Sequence, residues 1–230
     1  MRVVTWNIRH GAKSRVERVL QVLQAHEPDV VVLTEFRNNE PGQRIRLGLS
    51  SFGLRHQSGS HAAPSVNAVL VAAREEFAEQ VFPDLGVHAQ RCVLATIGEM
   101  SLFGLYFPNK LEKEPLFRFL LSLPPQYLEG QSLLLGDFNT GKHHLDEAKA
   151  TFYCAQYFEQ LEEQGWVDVW RKRNPQGREY TWFSSFGNGF RIDHAFLSPP
   201  LLPRVGRVVY SHGEREAAVS DHSALVVDIE

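Results

Sequence analysis

The segment at positions 133–144, LLLGDFNTGKHH, points most directly to the fold, because it joins an apolar strand to a pair of polar residues. After three leucines and a glycine, Asp137 and Asn139 flank Phe138. Side chains alternate between the two faces of a strand, so Asp137 and Asn139 are expected on one side and Phe138 on the other. Burying a carboxylate costs free energy unless it has partners. The segment therefore predicts one wall of a polar site at the end of a core strand.

The composition is that of a globular protein. The 230 residues are 43% hydrophobic, which is enough for a core in a single domain spanning residues 1–230. The formal net charge of −3 excludes the strong overall basic field of many nucleic-acid-binding proteins. Any contact with nucleic acid is therefore expected to be local.

The sequence contains no signal for export or for a disulfide framework. Both cysteines, Cys92 and Cys154, lie in apolar or amphipathic runs, which indicates buried thiols. The opening MRVVTWNIRHGAK is too polar for a secretory signal, and no apolar run approaches the roughly 18 residues of a membrane-spanning helix. We expect a cytoplasmic protein without a membrane anchor.

Strand-like runs outnumber helical patterns. Apolar and β-branched runs occupy positions 2–8, 29–33, 68–73, 92–97, 101–107, 132–135, 191–197, 205–211 and 224–229. Helical periodicity follows an S-x-x-E capping box that begins at Ser14, and recurs at 114–121 and 149–164. Many strands with few helices, and without strict βαβ alternation, favour an α/β (α+β) sandwich with helices outside.

Polar side chains recur at or near the ends of these runs. The set contains Asn7, Glu35, Tyr106, Asn109, Asp137, Asn139, Asp193, Asp221 and His222. Each one alone is ordinarily a turn residue. Together they supply what metal-assisted hydrolysis of a phosphoester needs: oxygen ligands for a hard cation, a base for water and donors for developing charge. Asp193 is a candidate partner to fix the tautomer of His222.

Six short motifs resemble, in chain order, those of the endonuclease/exonuclease/phosphatase superfamily. They are TWNI (5–8), VVLTE (31–35), GLYFPN (104–109), GDFN (136–139), RIDH (191–194) and SDHS (220–223). The YFPN string, with GWVDVWRKRNP and YTWFS before RIDH, is most similar to the exonuclease III and apurinic endonuclease branch. The resemblance spans nearly the whole chain, from Asn7 to His222.

The resemblance implies a four-layer α/β/β/α sandwich, in which two packed, mostly antiparallel sheets are flanked by helices and the site lies at one edge. It also implies a bound Mg²⁺ or Mn²⁺ ion. Glu35 would be the principal ligand, with Asn7 beside it and Asp221 near a metal.

The same resemblance implies roles for the remaining site residues. Asp137 would align the attacking water, and Asn139 would hydrogen-bond the phosphate or the nucleophile. His222, held by Asp193, would stabilise the charged transition state. Two residues would contact the phosphate, Tyr106 and Asn109.

Two positions depart from the pattern of the apurinic endonucleases. Arg9 stands where an acidic residue is usual, so that Asn-Ile-Arg is more similar to deoxyribonuclease I, and Thr34 replaces the glutamine that usually precedes the metal-binding glutamate. These departures leave the implied catalytic class intact and leave apurinic-site activity open.

The leading hypothesis is a metal-dependent phosphodiesterase that acts as a monomer on nucleic acid, foremost a DNA exonuclease or endonuclease. Two alternatives stay open. One is a phosphatase or phosphodiesterase for a phospholipid, a phosphoinositide or another small phosphoester, because one site can serve many substrates under different loops. The other is a catalytically idle binding module.

Smaller signals complete the expectations. Phe186, in the glycine-containing FSSFGNGF, is expected to be exposed and to contact substrate, whereas Trp182 is expected in the core. The pair His143 and His144 is expected in a solvated loop or on a phosphate rather than on a metal. The charge run 171–173 is expected to be solvated, with contact to a nucleic-acid backbone as the alternative.

Overall fold

The computed structural model describes residues 1–59 and 62–230. Its strands are, in chain order, β1 (Arg2–Asn7), β2 (Val30–Phe36), β3 (His56–Gln57), β4 (Ala68–Ala73), β5 (Ala78–Val81), β6 (Cys92–Ile97), β7 (Met100–Tyr106), β8 (Gln131–Asp137), β9 (Val167–Asp168), β10 (Trp182–Phe183), β11 (Gly189–Phe190), β12 (Asp193–Leu197), β13 (Val205–Ser211) and β14 (Ala224–Ile229).

The α-helices lie between these strands. They are α1 (Val16–Ala25), α2 (Glu40–Ser51), α3 (Glu114–Leu121), α4 (Pro125–Glu129), α5 (Gln156–Gln164), α6 (Val169–Arg173) and α7 (Gly213–Glu216). Short 3₁₀ segments cover Lys13–Arg15, Pro83–Arg91, Lys110–Lys113 and Pro199–Arg204. None of the helices within the described ranges is long and apolar enough to cross a membrane.

Two six-stranded sheets form the centre of the molecule. The strand order is β13-β14-β1-β2-β4-β3 in the first sheet and β5-β6-β7-β8-β12-β9 in the second, while β10 and β11 form a separate hairpin. The pairs β1/β2 and β7/β8 are parallel, and the other pairs are antiparallel. The carboxyl ends of two neighbouring strands therefore lie side by side in each sheet.

Alternate residues of each strand face different cores. Val32 of β2 and Leu135 of β8 belong to the core between the sheets. Leu33 packs instead with residues of α1 and α2, and Leu134 packs with residues of α3 and α5. Because both faces of each sheet are covered, the strands read as continuous apolar runs. The expected four-layer α/β/β/α sandwich is confirmed.

Gly136 allows β8 to pass close to β7. Its φ is 145°, and a Cβ atom at this position would lie 1.9 Å from the carbonyl oxygen of Leu105. Only glycine adopts this conformation readily and leaves this space. The glycine of the GDFN motif therefore lets the strand reach Asp137 beside Tyr106, its partner in the parallel register.

Two helical expectations were wrong, and one helix was not predicted. The Ser14 capping box does not form, because α1 begins after Arg15 without a side-chain cap. The helix expected at 149–164 begins only at Gln156, since the Glu147 carboxylate binds the backbone N–H groups of the preceding loop. Helix α2 was missed because its glycines and proline weaken the helical pattern, although the Asn39 side chain caps it.

Candidate active site

Strand ends from both sheets border one pocket of about 390 Å³. The pocket is lined by Glu35, Tyr106, Asn109, Lys110, Lys113, Asp137, Asn139, Thr151, Phe152, Tyr153, Trp182, Phe190, Ile192, Asp221 and His222. Seven of the ten residues expected at a site are among them, so the fold brings together groups that are far apart in sequence.

Three side-chain hydrogen bonds cross from one sheet to the other at this pocket. Asn7 Nδ2, at the end of β1, donates to Asp137 Oδ2 at 2.9 Å. The Tyr106 hydroxyl donates to Glu35 Oε1 at 3.2 Å. His222 Nδ1, just before β14, lies 2.9 Å from Asp193 Oδ2 in β12. The site is therefore held rigidly by the packing of the two sheets.

Asp137 is a buried carboxylate opposite a second carboxylate. Strands β8 and β12 pair Asp137 directly with Asp193, a register in which like charges repel. Burial and the Asp193 charge raise the pKa of Asp137 to about 7. The amide of Asn7 and the backbone N–H of Asn139 donate to its oxygens and favour the ionised form. Asp137 can therefore accept a proton near neutral pH.

Protonated His222 offsets the repulsion between the carboxylates of Asp137 and Asp193. Burial alone would lower the pKa of His222, but the Asp193 carboxylate outweighs burial and raises it to about 10. Because Nδ1 faces Asp193, the other ring nitrogen, Nε2, is left to donate toward the pocket. The backbone carbonyl of His222 accepts from Trp6 Nε1 at 3.0 Å, which fixes the residue in place.

Glu35 is aimed into the pocket by an irregularity in β2. The pairing of β2 with β4 shifts register between Leu33 and Phe36, and Glu35 has a φ of 55°. Bulges and left-handed residues of this kind re-aim side chains and cluster at functional sites. The backbone N–H of His10 also donates to Glu35 Oε2, at 2.7 Å.

The oxygen atoms on this side of the pocket fit a hard divalent cation. Glu35 and Asp221 both line it. Asn7 donates to Asp137 through Nδ2, and its Oδ1 accepts from the backbone N–H of Arg9 at 2.9 Å. Carboxylate and amide oxygens are the ligands that Mg²⁺ and Mn²⁺ prefer. Arg9, the residue that departs from the apurinic endonuclease pattern, lies 3.7 Å from Asp221 in an ion pair.

A second group of possible ligands lies deeper. Asp137, Asp193 and His222 each place a ligand atom within 4.8 Å of the others. His222 and Asp193 already bind each other. This cluster is therefore better described as a hydrogen-bonded His222–Asp193 pair beside the Asp137 carboxylate than as a cation site.

The remaining predicted residues surround the same space. Asn139 has a φ of 50°, and its Nδ2 donates to the Phe107 carbonyl at 2.7 Å. Burial and the nearby carboxylates of Glu35 and Asp137 raise the pKa of Tyr106, so its hydroxyl stays protonated and can donate.

The expected alternation around Phe138 is confirmed. Phe138 stacks on Phe107 with ring centroids 4.7 Å apart, in the core on the helix side, while Asp137 and Asn139 line the pocket.

Three predicted residues do not line the pocket. Asn7 and Asp193 lie one hydrogen bond behind it, on Asp137 and His222. Phe186 lies in the turn between β10 and β11 and is 89% exposed, as expected. Trp182 was expected in the core but is only partly buried and lines the pocket.

The sequence motifs did not indicate Lys113 or the 151–153 segment, Thr151–Phe152–Tyr153, all of which line the pocket. The 151–153 segment was read as helix. Lys113 could have been noticed only as a lysine near the apolar run of α3, which is a weak signal.

The expectation that the basic run 171–173 is solvated holds for Lys172 and Arg173, which are exposed, and is wrong for Arg171, which is buried. Arg171 is 6% exposed and pairs with Asp146 at 2.5 Å. Arg173 donates to the backbone carbonyls of Val205 and Gly206. Lys172 alone is exposed without these contacts.

The adjacent histidines have different surroundings. His143 Nδ1 lies 2.8 Å from Glu147 Oε1, and His144 is exposed. The two cysteines are buried free thiols, as expected.

Comparisons with solved structures return the same fold. A 3′ phosphatase, NExo, from Neisseria bound to a product DNA hairpin is 24% identical, with a TM-score of 0.87 over 100% of this chain and 99% of that chain. An AP endonuclease from Archaeoglobus fulgidus is 22% identical, with a TM-score of 0.84 over 100% and 99%. A 3′-5′ exonuclease, NExo, from Neisseria meningitidis is 23% identical, with a TM-score of 0.85 over 100% of both chains.

A family comparison gives the same result from the sequence. The model of the Endonuclease/Exonuclease/phosphatase family matches residues 4–222, from β1 to His222. This range contains all ten predicted site residues. The chain belongs to the Endonuclease/Exonuclease/phosphatase family.

Proposed function

We propose that this protein is a divalent-metal-dependent phosphoesterase that hydrolyses phosphoester bonds of DNA, as an exonuclease or endonuclease. The observation that carries the proposal is the pocket where both sheets end. It combines a base with a pKa near neutrality, a histidine held protonated by a buried carboxylate, and oxygen ligands for a cation.

The chemistry follows from the placement of these groups. Asp137 orients a water molecule and accepts its proton as the oxygen attacks phosphorus. The bond from phosphorus to the leaving sugar oxygen breaks in the same displacement, and that oxygen takes a proton from solvent. His222 donates from Nε2 to a phosphoryl oxygen, and Tyr106 and Asn109 bind the same group. Glu35, Asp221 and Asn7 would hold a divalent cation, which would neutralise negative charge on the phosphoryl group.

The far wall of the pocket favours a nucleotide over a highly charged headgroup. Phe152, Tyr153, Trp182 and Phe190 line this side, and Trp182 and Phe190 have ring centroids 5.7 Å apart. Aromatic rings bind bases and sugars through stacking and apolar contact. The similar solved structures include a 3′ phosphatase bound to a DNA hairpin and an AP endonuclease, which supports the same substrate class.

The decisive assay measures hydrolysis of labelled single-stranded, nicked, 3′-phosphorylated and abasic DNA, with Mg²⁺, with Mn²⁺ and with a chelator. We expect cleavage that needs a divalent cation. Asp137→Asn should lower the rate by ~10² to 10³-fold, the cost of removing one essential group. Lys172→Met, which changes an exposed lysine outside the pocket lining, is the control.

Two outcomes would contradict the proposal. Intact DNA and RNA together with hydrolysis of a phosphoinositide or another small phosphoester would assign the second candidate substrate class. Equal background turnover from the wild type and Asp137→Asn on every substrate would indicate an idle binding module.

The proposal also includes a monomeric, cytoplasmic protein in which residues 1–230 form one catalytic domain.

A further inference from the structure

Lys113 is a fully buried lysine in the candidate active site. It ends the 3₁₀ segment before α3 and is 1% exposed. It lines the pocket together with Asp137 and Asn139. Lysine is almost never fully buried unless its charge is paired, so its position requires an explanation.

The protein supplies little to pair with this charge. Lys113 Nζ donates to the backbone carbonyl of Asn139. In the described part of the chain, no carboxylate oxygen lies within 4.0 Å of Lys113 Nζ, the limit for an ion pair. Lys142, by contrast, pairs with Glu162 at 2.6 Å. An ammonium group has three donors. Donors thus remain on a buried cation whose side chain borders the pocket.

Burial lowers the pKa of Lys113 to about 8, although the charge of Asp137 opposes the shift. The group is therefore still mostly protonated at neutral pH. A buried cation without a carboxylate partner is stabilised when an anion binds next to it. The anion that the pocket is proposed to take is a phosphoryl group.

We propose that Lys113 is a further catalytic residue, whose ammonium group donates to a non-bridging oxygen of the phosphoryl group and favours a terminal phosphate over an internal diester. This inference rests on the proposed function only in that the ligand is a phosphoester. A terminal phosphate carries about two negative charges and a diester one, so a fixed cation attracts the terminal group more strongly.

A purely structural role for Lys113 makes a different prediction. If the ammonium only held the Asn139 carbonyl in place, its loss would disturb Asn139 and would slow both kinds of substrate equally. A contact with phosphate instead predicts unequal losses and a direct response of the ammonium group to phosphate.

The experiment compares Lys113→Met, Lys113→Arg and the control Lys172→Met. The value of kcat/KM is measured on DNA with a 3′-terminal phosphate, on an internal phosphodiester of the same sequence, and on p-nitrophenyl phosphate. We expect Lys113→Met to lose ~10² to 10³-fold on the phosphomonoesters and about tenfold less than that on the diester. Lys113→Arg should recover part of the loss, because the charge is kept.

Inorganic phosphate gives a readout that does not depend on turnover. Its affinity is measured by titration calorimetry for each variant, and the NMR signal of the Lys113 ammonium group is followed in the wild type. We expect the signal to shift with phosphate, and Lys113→Met to bind phosphate at least about tenfold more weakly, the loss of one charged hydrogen bond.

Equal losses on monoester and diester, an unchanged phosphate affinity, or an ammonium signal that phosphate does not move would each overturn the inference. If Lys113→Met does not fold, Lys113→Arg and the wild-type signal still decide. A wild type that cleaves no DNA but hydrolyses p-nitrophenyl phosphate would refute the DNA proposal alone. A wild type that neither cleaves nor binds phosphate would refute both proposals.

Discussion

Two carboxylates and one imidazole define the chemistry at the scale of single residues. The register of β8 and β12 places Asp193 opposite Asp137, and His222 lies against Asp193. Each group shifts the proton affinity of its neighbour. Burial and Asp193 raise the pKa of Asp137, and Asp193 also raises the pKa of His222. Asp137 therefore offers a proton acceptor and His222 a proton donor, as the proposed acid–base catalysis requires.

This separation predicts the pH profile. In the proposed mechanism Asp137 acts only when ionised, so activity should rise with pH through its pKa of about 7, and at lower pH where a bound cation lowers that pKa. His222 acts when protonated, so activity should fall above about 10. Asp193→Asn removes the charge that raises both pKa values. Both limbs should then move to lower pH, with a rate loss of ~10² to 10³-fold.

The measurement is kcat/KM against pH at a fixed concentration of metal, for the wild type and Asp193→Asn. The control variant is Asp29→Asn, a carboxylate at the opposite end of β2 that lies away from the pocket lining. An alkaline limb that stays in place in Asp193→Asn would show that the Asp193 carboxylate does not set the proton affinity of His222.

At the scale of elements, the loop between β8 and α5 forms one wall of the site. Glu147 is 2% exposed and accepts hydrogen bonds from the backbone N–H groups of Thr151 at 2.7 Å and Phe152 at 3.0 Å. Its bond to His143 closes the same loop. The carboxylate therefore shapes the aromatic wall, although it lies outside the pocket lining.

Glu147→Ala should loosen this wall without touching the reacting groups. We expect KM for DNA to rise about tenfold, the equivalent of one hydrogen bond to a charged group, with kcat nearly unchanged. Steady-state kinetics and hydrogen exchange at residues 149–155 measure the two effects. Glu159→Ala, an exposed glutamate on α5, is the matched control. An unchanged KM with faster exchange would separate the loop from substrate binding.

The β10/β11 hairpin is expected to contact DNA through its exposed turn. Phe186 is 89% exposed at its turn, and Arg215 lies over the Phe183 ring at 4.6 Å, which supports the base of the hairpin. Phe186→Ala should weaken DNA binding by about 1–3 kcal/mol if the ring stacks on a base. Fluorescence anisotropy with labelled DNA in Ca²⁺ tests this. Leu47→Ala, 72% exposed on α2, should leave affinity unchanged, and equal affinities for both variants would exclude stacking by Phe186.

At the scale of the whole molecule, a buried ionic network supports the second sheet beneath the site. Arg191 is fully buried and pairs with Asp146 and Asp168, each at 2.6 Å. Burial alone would raise the pKa of Asp168, but Arg191 outweighs it and holds that pKa well below its usual range. The Tyr210 hydroxyl, 3.3 Å from Arg191, donates to the Asp193 carbonyl at 2.7 Å. The network thus connects the stability of the whole protein to the position of Asp193.

Arg191→Met should destabilise the protein by about 3–5 kcal/mol, because it leaves the buried Asp168 carboxylate without its arginine and leaves Asp146 with Arg171 alone. Urea unfolding followed by circular dichroism measures the loss. The control is Arg44→Met, which breaks an exposed pair with Glu17 of 2.7 Å and should cost about 1 kcal/mol or less. A wild-type urea midpoint for Arg191→Met would show that the network adds no net stability.

The nine strands of five or more residues and most of the site residues could be predicted from the sequence because both are local, whereas the shorter strands β3, β5, β9, β10 and β11 were not predicted. Continuous apolar runs mark strands that are buried on both faces, and each motif carries its polar group at or next to a strand end. For this reason Glu35, Tyr106, Asn109, Asp137, Asn139, Asp221 and His222 were all expected where the pocket is found. The missed elements have ambiguous local signals. Helix α2 contains glycines and a proline, and the 151–153 segment has helical periodicity that the hydrogen bonds of Glu147 override.

Only the tertiary structure decided which of these groups meet. The sequence cannot give the sheet register that sets Asp193 against Asp137, the hydrogen bond between sheets that joins Asn7 to Asp137, or the burial of Lys113 beside the pocket. These relations depend on contacts between residues distant in the chain, and local propensity is silent about them. The sequence by itself therefore determined the kinds of groups at the site. The packing of the two sheets determined the distances between these groups, their protonation and the placement of Lys113 beside them.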